Sequence, residues 1–177
     1  MGNPEQKIKT VHVTGTNGKG SVTSMITNIL LAANLKVGKF TSPHLVKYNE
    51  RINLNGKDIS DEDFATAITA VKVAADSVVK KGVCEQPTQF EILTAAAFLY
   101  FYLQKVDYAV IEVGMGGLWD STNVITPVVS VITNVALDHT DRCGKTWSAL
   151  LCRRQALSRR RCLWLPLPKA MKLLVLL

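Results

Sequence analysis

The chain has 177 residues, 47% of them apolar, and a formal charge of +7 at pH 7. That length suits one domain with a sizeable core and is too short for a large two-domain enzyme. The polar Met1–Lys9 opening and the lack of any apolar run of roughly 18–20 residues argue against a secretory leader or a membrane span, so a cytoplasmic protein with no membrane partner is expected.

The charge is unevenly placed. Residues 1–141 hold 12 Lys/Arg against all 14 Asp/Glu, whereas residues 142–177 hold 9 Lys/Arg and no acid. The basicity therefore belongs to the tail, and such asymmetry marks either a nucleic-acid arm or a segment of different origin. The Arg159–Arg161 run lacks interleaved aromatics and any recognition element, so no nucleic-acid partner is expected. Cys84, Cys143, Cys152 and Cys162 form no CxxC pair and read as reduced thiols.

In chain order, Thr10–Val13 reads as a buried strand. A glycine-rich turn, Gly15-Thr16-Asn17-Gly18-Lys19-Gly20-Ser21, follows it. Its glycines let main-chain N–H groups converge on an anion, Lys19 adds a point charge, and the next helix contributes its positive end. That helix is predicted over Ser21–Ala33, where Val22, Met25, Ile26, Ile29, Leu30 and Ala33 recur with a 3.6-residue period. Val37–Phe40 reads as a second strand, Thr41-Ser42-Pro43-His44 as a loop, and Arg51–Leu54 as a strand ending in the Asn55-Gly56 hairpin signal. Ser60 with Asp63 predicts a helix cap, with Gly82 closing the helix after about Lys81. Thr88 with Glu91 predicts a second capped helix through Gln104.

Tyr108–Val113 is an apolar strand that delivers Glu112 near its carboxyl end, before Gly114-Met115-Gly116-Gly117. Val128–Val135 is the next strand, and its exit carries Asp138-His139. Strands alternating with helices predict an α/β fold: a mostly parallel sheet with helices on both faces, of the P-loop NTPase kind, with ligands at the carboxyl ends of the strands. The phosphate loop, Glu112 and His139 then share one rim. An acid inside so apolar a strand needs a partner, which favours a metal role for Glu112 over a surface one.

The loop is not a general Walker A sequence, because Val13 and Gly20 stand where that pattern has glycine and Ser/Thr. GTNGKGS is instead the shorter variant of the Mur ligase superfamily. Further blocks follow in order: Thr41-Ser42-Pro43-His44-Leu45, Asn49-Glu50-Arg51-Ile52, Thr88-Gln89-Phe90-Glu91, Ile111–Gly117, Asp120-Ser121-Thr122-Asn123 and Leu137-Asp138-His139. On these motifs residues 1–146 resemble the folylpolyglutamate synthases and related dihydrofolate synthases.

The resemblance implies the central ATP-binding domain of a ligase that phosphorylates a folate carboxylate and joins the acyl phosphate to the amine of glutamate. ATP and Mg²⁺ are the implied cofactors. Folate or dihydropteroate, with L-glutamate, are the implied small-molecule partners of a monomer. Gly15 to Ser21 would hold the ATP phosphates and Ser42, Glu112 and His139 the magnesium, with Lys19, Glu112 and His139 as the catalytic set. Thr88, Phe90 and Asp120 would contact the pterin. Taken without the resemblance, Ser42 is a hydroxyl in a turn, Thr88 a helix cap and Phe90 a core aromatic.

Leu118-Trp119 stands where these enzymes often carry arginine after the glycine pair. Arg153-Arg154 lies where they carry a carbamylated lysine, which arginine cannot replace because it offers no neutral nitrogen to CO₂. The C-terminal domain that the resemblance implies has no counterpart, and Met1-Gly2-Asn3-Pro4 stands where these enzymes have an internal segment. The chain is therefore expected to be incomplete at both ends and the ligase inactive as it stands. Residues 147–177, acid-free and leucine-rich at their end, are expected to be a poorly ordered, frame-shifted tail. A non-catalytic Mg-ATP-binding module and a dihydrofolate synthase are the alternatives.

Overall fold

The computed structural model describes residues 1–135 together with Leu157 and Leu174–Leu176. Seven strands form one sheet: β1 (Thr10–Thr14), β2 (Val37–Phe40), β3 (Ile52–Leu54), β4 (Lys57–Asp58), β5 (Tyr108–Glu112), β6 (Val129–Ile132) and β7 (Leu174–Leu176). Their order is β4-β3-β2-β5-β1-β6-β7. The four central strands run parallel, and β3, β4 and β7 add antiparallel edges. Among the described residues three α-helices, α1 (Lys19–Ala32), α2 (Asp61–Lys80) and α3 (Gln89–Leu103), cover it. The expected α/β architecture is therefore present.

Alternation along β1 divides the core. Val11 and Val13 join Val37, Val110 and Val131 on one face, against Val22, Ile26, Leu30 and Leu31 of α1. The opposite face packs Phe40, Ile52, Ala109 and Ile111 under Ala67 and Val71 of α2 and Ala96, Ala97 and Phe101 of α3. From the apolar period of α1, Met25 and Ile29 stay largely exposed, 60% and 68%. Thr23 and Thr27 are buried in their place, and the Thr27 hydroxyl is satisfied by donating to the Thr23 carbonyl at 2.8 Å.

Local signals set the boundaries. Ser60 Oγ accepts the Asp63 N–H to open α2, and Thr88 with Glu91 forms a reciprocal capping box that opens α3. Asn55 and Gly56 both have positive φ, 51° and 82°, as a two-residue hairpin turn between β3 and β4 requires. The expected strand at residues 128–135 is shorter, and Thr133 and Asn134 leave the sheet to serve the loop described below. Apart from Leu157 and β7, the segment 147–177 lies outside the described residues, as does His139.

Candidate functional site

The parallel strands bring their carboxyl ends to one rim, and the loop after β1 occupies its centre. Gly18, with φ 77°, is the N-cap of α1 and contributes no side-chain cap to the first turn of the helix. The loop is held from β6. Thr16 N–H and Asn17 N–H both donate to Asn134 Oδ1, at 3.1 and 2.9 Å, and Thr133 Oγ1 donates to the Asn17 carbonyl at 2.6 Å. A Cβ at Gly15 would overlap Thr133 Oγ1, so this clamp closes only over glycine. Lys19 Nζ donates to the carbonyls of Gly15 and Thr16, each at 3.1 Å, which arches its charge across the loop.

Beneath the start of α1 stands Glu112, the last residue of β5, only 3% exposed. A Cβ at Gly20 would lie 3.5 Å from Glu112 Oε2, in ordinary van der Waals contact, so the first turn of α1 runs directly over the carboxylate. Oε2 accepts the Ser42 N–H at 3.2 Å. Burial pushes the Glu112 carboxyl above its ordinary range, opposed by the Ser42 hydrogen bond and by the positive charges of Lys19 and Lys39. The structure thus joins Lys19, Ser42 and Glu112 into one cluster. Among the described residues no group of three His, Cys, Asp or Glu side chains is placed to hold a metal.

The loop after β2 that supplies Ser42 is braced by Glu50. Its carboxylate accepts the N–H groups of Leu45, Val46 and Lys47 at 2.8, 2.9 and 2.7 Å, which lowers its pKa.

On the α3 side of the rim, Phe90 meets Phe40 with ring centroids 6.0 Å apart. Gly114 lets Phe90 and Asp120 converge, since a Cβ there would lie 2.6 Å from the Phe90 ring and 3.0 Å from Asp120 Oδ2. Thr88 is committed to the capping box, where its N–H and hydroxyl meet Glu91 Oε2 at 2.6 and 2.8 Å. Asp120 already accepts from Met115 N–H at 2.7 Å and from the N–H and hydroxyl of Thr122 at 3.0 and 2.6 Å. Thr122 Oγ1 also lies 2.8 Å from Nε2 of the buried His12. His12, Thr122, Thr133, Asn134 and the bracing role of Glu50 escape a sequence reading. The signals on offer were the histidine between Val11 and Val13, the motif blocks that contain Glu50 and Thr122, and the polar Thr133-Asn134 pair at the end of an apolar strand; none of them shows the contact made.

The family model for the Mur ligase middle domain matches residues 13–151. The chain is 44% identical over 160 residues to the folylpolyglutamate synthase of Lacticaseibacillus casei, covering 90% of this chain and 37% of that protein. It is 47% identical over 149 residues to the dihydrofolate synthase/folylpolyglutamate synthase of Bacillus subtilis, covering 82% and 34%. A solved folylpolyglutamate synthase complex with AMPPCP and folate superposes with a TM-score of 0.86 at 45% identity, over 90% of this chain and 39% of that one. The chain spans little more than a third of the length of the curated relatives it matches.

Proposed function

Because the chain belongs to the Mur ligase middle-domain family, we propose that it carries the nucleotide and acceptor side of an ATP-dependent ligase that adds glutamate to a folate through an acyl phosphate. The observation that carries this reading is the buried Glu112 carboxylate, set under the start of α1 beside Ser42 and the charge of Lys19. A buried carboxylate is costly to keep charged, and one placed next to a phosphate loop suits the binding of a cation there.

Hard oxygen donors suit magnesium, which needs few protein ligands because it keeps several waters. Ser42 and Glu112 would hold the ion, joined by His139, which lies outside the described residues. When bound, Mg²⁺ supplies Lewis-acid polarisation of the phosphate oxygens. The chain's own residues do the rest. The loop's N–H groups and the α1 N-terminus hold the phosphates in place. Lys19, whose ammonium donates to the loop carbonyls, turns to the phosphate oxygens as charge develops there. Phe90 and Asp120, converging over Gly114, hold the flat ring of the acceptor so that its carboxylate reaches the γ-phosphate. The nearby Thr88 contributes through the capping box that fixes the start of α3.

Support for the substrates comes from the relatives, which include a bifunctional dihydrofolate and folylpolyglutamate synthase and a structure holding AMPPCP and folate. We read the chain as a monomer acting on small molecules in the cytoplasm. No described helix is long and apolar enough to cross a membrane.

Calorimetry with Mg-ATP tests the reading. Saturable binding by the wild-type chain is expected, weakened at least about tenfold by Lys19→Ala, the cost of removing one charge-assisted phosphate contact. A folded wild-type protein that binds no Mg-ATP would overturn it.

A further inference from the structure

His12 is fully buried in β1, on the sheet face opposite Val11 and Val13 and paired in register with Ile111. An apolar residue would fill that place without penalty, so the imidazole calls for an explanation. Its Nε2 lies 2.8 Å from Thr122 Oγ1, and that same hydroxyl lies 2.6 Å from Asp120 Oδ1. A hydroxyl carries one proton. The carboxylate only accepts, so the Thr122 proton points to Asp120, and the ring must be the donor to Thr122. This fixes the Nε2–H tautomer and leaves Nδ1 as an acceptor without a partner. Burial holds the ring neutral, with a pKa lowered to about 3, so the donor persists throughout the neutral range.

The chain of bonds ends in a useful place. Asp120 Oδ1 is saturated by the N–H and hydroxyl of Thr122, whereas Oδ2 takes one N–H, from Met115. Oδ2 is also the oxygen that shares the Gly114 approach with the Phe90 ring. An aromatic face beside a carboxylate with acceptor capacity suits a flat heteroaromatic ring bearing N–H donors.

We propose that His12 is a positioning residue for the acceptor subsite: acting through Thr122, it fixes the Asp120 carboxylate beside Phe90 to receive ring N–H groups of the acceptor. His12 stands two residues before the end of β1, from which the phosphate loop springs, so one rigid strand sets both the loop and the acceptor carboxylate. The inference rests on the acceptor reading given above, which assigns Phe90 and Asp120 to the pteridine.

Binding of pteroic acid and of Mg-ATP to the 177-residue chain tests it. Thr122→Val keeps the side-chain shape but breaks both bonds. It should weaken pteroate at least about tenfold, the scale of one hydrogen bond to a charged group, while Mg-ATP affinity stays within about twofold. Thr122→Ser should restore pteroate binding. Unchanged pteroate affinity in Thr122→Val, equal loss of both ligands, or failure of serine to rescue would overturn the inference. A wild-type chain that binds Mg-ATP but no pteroate would overturn the acceptor reading and this inference with it. Ring ¹⁵N spectra decide independently of any variant's folding: an Nδ1–H tautomer for His12 would overturn the relay, and an Nε2–H tautomer supports it.

Discussion

Glu112 combines two properties that rarely coexist in a residue kept only for stability. It is almost completely buried, and burial raises its pKa despite the Ser42 N–H and the nearby lysines. A neutral isostere keeps the Ser42 hydrogen bond and removes the desolvation penalty. Glu112→Gln should therefore melt at the wild-type temperature or above it in a thermal scan, yet bind Mg-ATP at least about tenfold more weakly by calorimetry, since the proposed metal site loses its charged ligand. A coupled loss of both would mean that the carboxylate is structural. Glu112 was legible in the sequence because an acid near the end of an apolar strand is conspicuous. Asp120 was legible only as a candidate, since its partners Met115, Thr122 and, through Thr122, His12 are set by how the chain returns to β1.

Among the elements, the capped helices and the hairpin turn followed from local signals, because caps and turns are satisfied by residues three or four positions away. The buried face of α1 followed less well. Thr23 and Thr27 read as polar, yet the helix hides them and its Thr27 hydroxyl is satisfied within the helix, which leaves Met25 and Ile29 outside. The contact between β2 and α3 carries a sharper requirement. A Cβ at Gly38 would sit 2.6 to 2.8 Å from three atoms of the Phe101 ring, and that ring is itself fully buried and cannot swing away. Gly38→Ala should destabilise the fold by about 1–3 kcal/mol, as overpacking of a core does, measurable by urea denaturation. An unchanged midpoint would show that α3 shifts freely over the sheet.

For the molecule as a whole, His12 predicts how stability responds to pH. Its pKa falls from 6.5 to about 3 on folding, so below pH 6.5 the unfolded chain takes up a proton that the native state refuses. Stability is then full above about pH 6.5 and declines as pH falls toward 3, with a slope approaching about 1.4 kcal/mol per pH unit for one proton. Glu50 and Glu91, with lowered pKa values, add losses of the same sign at lower pH, and Glu112, with a raised one, acts in the opposite direction. The difference between wild type and His12→Gln isolates the histidine: urea midpoints from pH 7 to 5 should fall less steeply in the variant. Equal slopes would place the ring in contact with water. The parallel α/β plan was legible because alternating strands and helices dictate it. The links between distant segments were not, since no local pattern announces that Thr133 and Asn134 reach back to residues 16 and 17.

That reach has a consequence in time. The phosphate loop follows β1 near the start of the chain, but the bonds that hold it span 116 to 118 residues and close only when β6 has docked beside β1. Contacts of such sequence separation form late, because the loop-closure entropy must be met before they contribute. Competence to bind a phosphate is thus acquired with the docking of β6 rather than with the motif itself. During refolding, nucleotide binding should lag behind helix formation, which makes it a reporter of the pairing of β6 with β1.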